Sequence, residues 1–91
     1  MNTNNGSDLI KKTKKQWFSD PSIKNLDYEE KKATLSRLGI NAHFAYRRGT
    51  LSKRVYQLFC NWIEIQRQVI YAEKVNADYQ VYLATGVYPS I

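Results

Sequence analysis

The stretch Leu51–Leu83, LSKRVYQLFCNWIEIQRQVIYAEKVNADYQVYL, is 33 residues long and holds neither glycine nor proline. Along it Leu51, Val55, Leu58, Trp62, Ile65, Val69, Ala72, Asn76, Tyr79 and Leu83 are separated by alternating steps of four and three. Those steps return to one side of an α-helix at every turn, so the run predicts one long helix with a heptad seam. Asn76 is the one polar member and sits at an a-type position, where it can fix the register of a dimer. A second row, Phe59, Ile63 and Ile70, widens the apolar face beyond a bare seam and fits packing against several helices. An unbroken helix of this length would extend about 50 Å, whereas a compact chain of this size has a radius of gyration near ~12 Å. The helix must therefore either break, most readily at EKVNAD (Glu73–Asp78), or project and pair with a second copy, and pairing is the expectation carried forward. The interface residues assigned to it are Leu58, Trp62, Ile65, Val69, Asn76 and Tyr79, with Tyr71 off the seam as a surface aromatic. Trp62, mid-seam, is also expected to be buried within the fold.

The segments upstream are shorter. Ser7 or Asp8 is placed to cap a first helix running to about Phe18, with Leu9, Thr13 and Trp17 on one side and Lys11, Lys12, Lys14 and Lys15 over the rest. Pro21 ends it, and Asp20 before Pro21 is a cap and first-turn pair for a new short turn. In LDYEEKKATLSRLG, Asp27 and Glu30 form the acidic version of a capping box, and Tyr28, Leu35 and Leu38 give an inner face. Gly39 stands where a left-handed residue would close that helix. Asn41 would then cap a short AHFAYRR helix that Gly49 stops, and Thr50 or Ser52 would open the long one. The reading is thus an all-α fold: residues 1–7 a flexible lead, 8–85 a single domain of four to five helices ending in the long helix or a helical hairpin, and 86–91 a tail.

Bulk properties narrow the function class. A chain of 91 residues makes one domain at most, and a domain of that size buries only about 60–65% of its unfolded surface, which leaves dimerisation as a common source of stability. The single Cys60 excludes an internal disulfide and fits a reducing compartment. The start MNTNNGSDL is polar, so no secretory leader is expected, and no apolar run approaches the roughly 20 residues of a membrane span. The chain is accordingly expected in the cytoplasm, with no membrane partner. The net charge of +6 is unevenly spread. Residues 1–55 carry 12 Lys+Arg and 5 Asp+Glu, and residues 56–91 carry 2 and 3. A basic front half points to an anionic partner, and a neutral apolar back half points to packing.

Catalytic chemistry is sparse. The one histidine, His43, and Cys60 fall on different predicted helices without a supporting motif, so Cys60 reads as a small hydrophobe. One Cys and one His cannot close a zinc site, and no phosphate-binding glycine loop or calcium loop is present. Neither an enzyme nor a cofactor or metal is expected.

The basic stretch NAHFAYRRGTLSKR (Asn41–Arg54) carries the functional reading. With the preceding ATLSRLGI it has the outline of a helix-turn-helix turning at Gly39, between Leu38 and Ile40 as core contacts. Two positions depart from that motif: Leu35 stands where a small residue is usual, and Arg48 where an aliphatic is usual. In this reading the second helix presents His43, Tyr46, Arg47 and Arg48 to DNA, with Lys53 and Arg54 close behind. Arg47 and Arg48 read bases, and Lys11, Lys12, Lys14 and Lys15 clamp phosphates. The first expectation is a regulatory DNA-binding protein, with a homodimer allowed by the seam. The alternative is an inhibitor or co-regulator, of the kind mobile elements encode, that docks on a larger protein through the aromatics of its long helix and touches no nucleic acid.

Overall fold

The computed structural model describes residues 6–89 and contains four helices: α1 Ser7–Ser19, α2 Pro21–Lys24, α3 Tyr28–Arg47 and α4 Lys53–Thr85. No strand occurs among the described residues, so the all-α class holds. The lead expected over 1–7 and the tail over 86–91 fall partly outside the described residues.

Local chemistry explains most of the boundaries. The Asp27 carboxylate accepts from the Glu30 amide at 2.8 Å, and the Glu30 carboxylate accepts from the Asp27 amide at 3.1 Å, which completes the capping box of α3. The Asp20 side chain accepts from the Ser22 amide at 2.9 Å ahead of Pro21, and Ser52 accepts from the Val55 amide at 3.2 Å to open α4. Helix α1 differs from expectation at its start. Ser7 lies inside the helix and Gly6, at φ 86°, takes the cap position with no side-chain cap bond. A Cβ there would collide with Leu51, so a glycine lets the start of α1 close onto the α3–α4 loop.

Helices α3 and α4 form an antiparallel hairpin. Its loop end joins Ala45 to Leu51, the Arg67 guanidinium donates to Ser36 Oγ at 3.2 Å in the middle, and Tyr28 meets Tyr71 at the far end. Helix α1 lies along one flank of that hairpin, with Ile10 near Leu51 and Trp17 edge-on to Trp62 at 6.2 Å. Leu35 and Phe59 are fully enclosed, and Ile10, Trp17, Ala42, Ala45, Leu51, Ile63 and Ile70 complete the core.

The expected turn at Gly39 is corrected. There is no turn at Gly39: α3 runs straight through it, Asn41 is an exposed helical residue, and the helix-turn-helix outline is not formed. The cause is tertiary. Leu35 before Gly39 and Ala42 and Ala45 after it are buried in one core with the inner row of α4, a placement that a continuous α3 provides. A Cβ on Gly39 would lie 3.6 Å from Ile63 Cδ1, an ordinary contact, and the residue has no positive φ. The core of α4 is built on the second row, Phe59, Ile63 and Ile70, together with Gln66, one position round from the heptad seam. Seam residues Leu58, Ile65 and Val69 remain 52%, 55% and 43% exposed, and Trp62 is half-buried. In α1, likewise, Ile10 replaces Leu9 as the inner residue, and Leu9 is exposed. Helix α4 does not break at EKVNAD, the less favoured of the two expected outcomes. It continues to Thr85 and ends at Gly86, whose φ of 77° closes it. Beyond the hairpin its last part projects, and the molecule measures 59 × 22 × 15 Å with a radius of gyration of 16.4 Å. No helix among the described residues is long and apolar enough to cross a membrane.

Candidate functional site

The cations assigned to nucleic acid gather at the loop end. Arg47 ends α3, Arg48 is its C-cap, Lys53 and Arg54 open α4, and all four are exposed. Gly6 against Thr50 and Leu51 brings the start of α1 to the same loop, and from there Lys11, Lys12 and Lys15 run exposed along its outer surface. Lys14 is turned inward, with its ammonium 5.8 Å from the centre of the Trp62 ring. Residues 6–19 and 40–60 together hold eight of the 14 Lys+Arg against Asp8 alone, a local net charge of +7.

The rest of the chain is arranged differently. Lys32 pairs with Glu29 at 3.4 Å, Arg67 with Glu64 at 3.5 Å and Lys74 with Asp78 at 2.9 Å. Among the described residues none of these pairs involves a cation of the loop end. The structure therefore has a basic head, a charge-balanced middle and an apolar projecting arm. A concentration of like charges with a single counter-charge raises the local potential and attracts anions over about a Debye length, ~8 Å at physiological salt.

Two residues assigned to the contact surface do not join it. Tyr46 is half-buried and stacks on Tyr56 with ring centroids 4.9 Å apart. His43 lies on the other flank of α3, beside Ser36, Gly39 and Ile40, whereas α1 packs over Leu38, Asn41 and Ala42. There His43 Nδ1 stands 3.3 Å from the Tyr56 hydroxyl. The hydrogen bond to Cys60, with burial, holds the Tyr56 hydroxyl above the ordinary tyrosine range. His43, Tyr56 and Cys60 thus share an open groove of about 480 Å³ that sequence reasoning missed. The i, i+4 spacing of Tyr56 and Cys60 was visible, but the approach of His43 depends on the unbroken α3. No group of three or more His, Cys, Asp or Glu side chains among the described residues is placed to hold a metal ion.

The assigned interface residues divide between body and arm. Leu58, Trp62, Ile65 and Val69 run along the body, and Tyr71, Asn76 and Tyr79 along the arm, where no residue of α4 after Ile70 is buried. Phe18, 56% exposed, stands edge-on to Trp62 at 6.1 Å and walls one side of the body stripe. Comparison with protein-family models, curated proteins and solved structures gives no match for this chain, so its function is argued from this geometry.

Proposed function

We propose that this chain is a small regulatory binding protein that grips the phosphate backbone of a nucleic acid, duplex DNA first, with its basic head. The observation that carries the reading is the contrast in pairing: acids partner cations along the middle of the molecule, while the loop-end cations stand beside Asp8 alone. Lys11, Lys12 and Lys15 form one row and Arg47, Arg48, Lys53 and Arg54 a second cluster at its end. Phosphates are a natural partner for such exposed, flexible cations, which need no fixed geometry to release counterions. With α3 continuous, the contact is to backbone rather than through a recognition helix in the major groove.

The test is fluorescence anisotropy of a labelled duplex titrated at several salt concentrations. Affinity should fall linearly on a log–log plot, with a slope of about −0.9 for each phosphate neutralised. Arg47→Ala with Arg48→Ala should lower both affinity and slope while leaving the helical circular dichroism unchanged. Absence of binding at low salt would overturn the proposal. The exposed aromatic arm favours a second reading, docking onto protein, which predicts binding insensitive to salt and dependent on α4.

A further inference from the structure

We propose that a second copy of this chain covers the exposed stripe of α4, antiparallel and symmetric about Val69 and Ala72. The proposal stands apart from the nucleic-acid reading and rests on three features of α4.

The first is the arm itself. Tyr71, Val75, Tyr79, Val81, Tyr82 and Leu83 are 42–59% exposed, and Asp78 is the one charged residue between Val75 and Thr85. A helix apolar on most of its circumference belongs in a packed setting, and an isolated segment of about 15 residues is marginal in water.

The second is area. The chain exposes 6653 Å², whereas a compact protein of this mass exposes about 5,500 Å². The excess, on the order of 1,100 Å², is comparable to the ~800 Å² that each partner contributes to a stable interface.

The third is register. The exposed stripe crosses from body to arm without a change of spacing. Reversing a second α4 about the midpoint of Val69 and Ala72 sets Leu58 against Leu83 of the second copy, Trp62 against Tyr79, Ile65 against Asn76 and Val69 against Ala72. All four pairs share one centre, so a single patch is complementary to itself, as a two-fold interface requires. Each arm then lies on the body stripe of the other copy, beside the Phe18 wall, and both exposed stretches are covered at once. A parallel pairing would instead force two bodies together side by side, each carrying α1 and α2 next to its stripe. Of the flanking positions, Asn61, Gln68, Val75 and Tyr82 on one side are uncharged, and Glu73 is the one charge on the other, set nearest Gln66 of the second copy, so no like charges meet in the antiparallel arrangement.

The test is light scattering of the full chain combined with oxidative cross-linking in a Cys60→Ser background. The wild-type chain is expected at twice its monomer mass. Leu58→Cys with Leu83→Cys should give a disulfide-linked dimer, since the two positions lie about 37 Å apart within one helix and cannot bridge internally. Leu83→Cys alone should stay uncoupled. Ile65→Asp should halve the mass while circular dichroism still reports a folded helical protein. A monomeric wild-type chain, or efficient cross-linking through Leu83→Cys alone, would overturn the proposal.

Discussion

Gly39 decides between two architectures, and its backbone can be probed directly. In a turn it would need a left-handed conformation that alanine resists; in α3 it is helical, with room for a Cβ 3.6 Å from Ile63 Cδ1. Gly39→Ala should therefore stabilise the protein by about 0.5–1 kcal/mol, the helix-propensity difference between the two residues. Urea denaturation measures it, and a loss of stability would count against the continuous helix. The same residue shows why the sequence misleads locally. A glycine flanked by Leu38 and Ile40 and followed by Asn41 satisfies the rules for a helix end. Only the burial of Leu35, Ala42 and Ala45, on both sides of the glycine, against the inner row of α4 overrides them. A second residue-scale expectation concerns Asp20, whose carboxyl is held below its usual range by the Ser22 hydroxyl and amide. A depressed carboxyl pKa stabilises the fold above the unfolded value, and that contribution is lost as pH falls through the lowered folded value. The Asp20 resonance in an NMR titration should accordingly have its midpoint below the ordinary aspartate range, and an unshifted midpoint would contradict the cap geometry.

At the scale of the helix, capping was legible and facing was not. Asp27 with Glu30, Asp20 with Pro21, and Ser52 are side-chain to backbone arrangements within a few residues, so they are written locally. The face of α4 that meets the core is set by α1 and α3, which a periodicity cannot see. Both the seam and the row beside it are apolar at helical spacing, and the structure spends Phe59, Ile63 and Ile70 on the core while leaving Leu58, Ile65 and Val69 outside. Substitutions should separate the rows. Phe59→Ala removes a ring that is 1% exposed and should cost about 3–5 kcal/mol, a large share of the about 5–15 kcal/mol that holds a domain folded. Ile65→Ala should leave the denaturation midpoint of the dilute chain nearly unchanged and act on self-association instead. Equal losses at both positions would mean that the rows have been assigned wrongly. The candidate site was legible to the same degree. The basic residues cluster as their sequence positions imply, while His43 and Tyr46 are claimed by Tyr56 and the groove around it, through packing that no local pattern records.

For the whole molecule, the basic head and the projecting arm make one argument about reach. In the antiparallel pair proposed above, the loop ends of the two copies stand at opposite ends of a rod, separated by about 55 Å at 1.5 Å of rise per residue. That distance corresponds to roughly 16 base pairs of duplex at 3.4 Å each. A duplex long enough to meet both heads would bind in two linked steps, the second at the high effective concentration set by the first, and such linkage can raise avidity by about 10²–10⁴-fold. Affinity should therefore rise sharply, beyond the simple increase in the number of sites, once the duplex passes that length. Ile65→Asp, which leaves each basic head intact, should flatten the length dependence while keeping the weaker salt-sensitive binding to a short duplex. Anisotropy titrations over a series of duplex lengths make the measurement. A length dependence that survives Ile65→Asp would show that the two heads act without the α4 pairing, whereas a flat series for the wild-type chain would mean that the heads of one dimer do not share a single duplex.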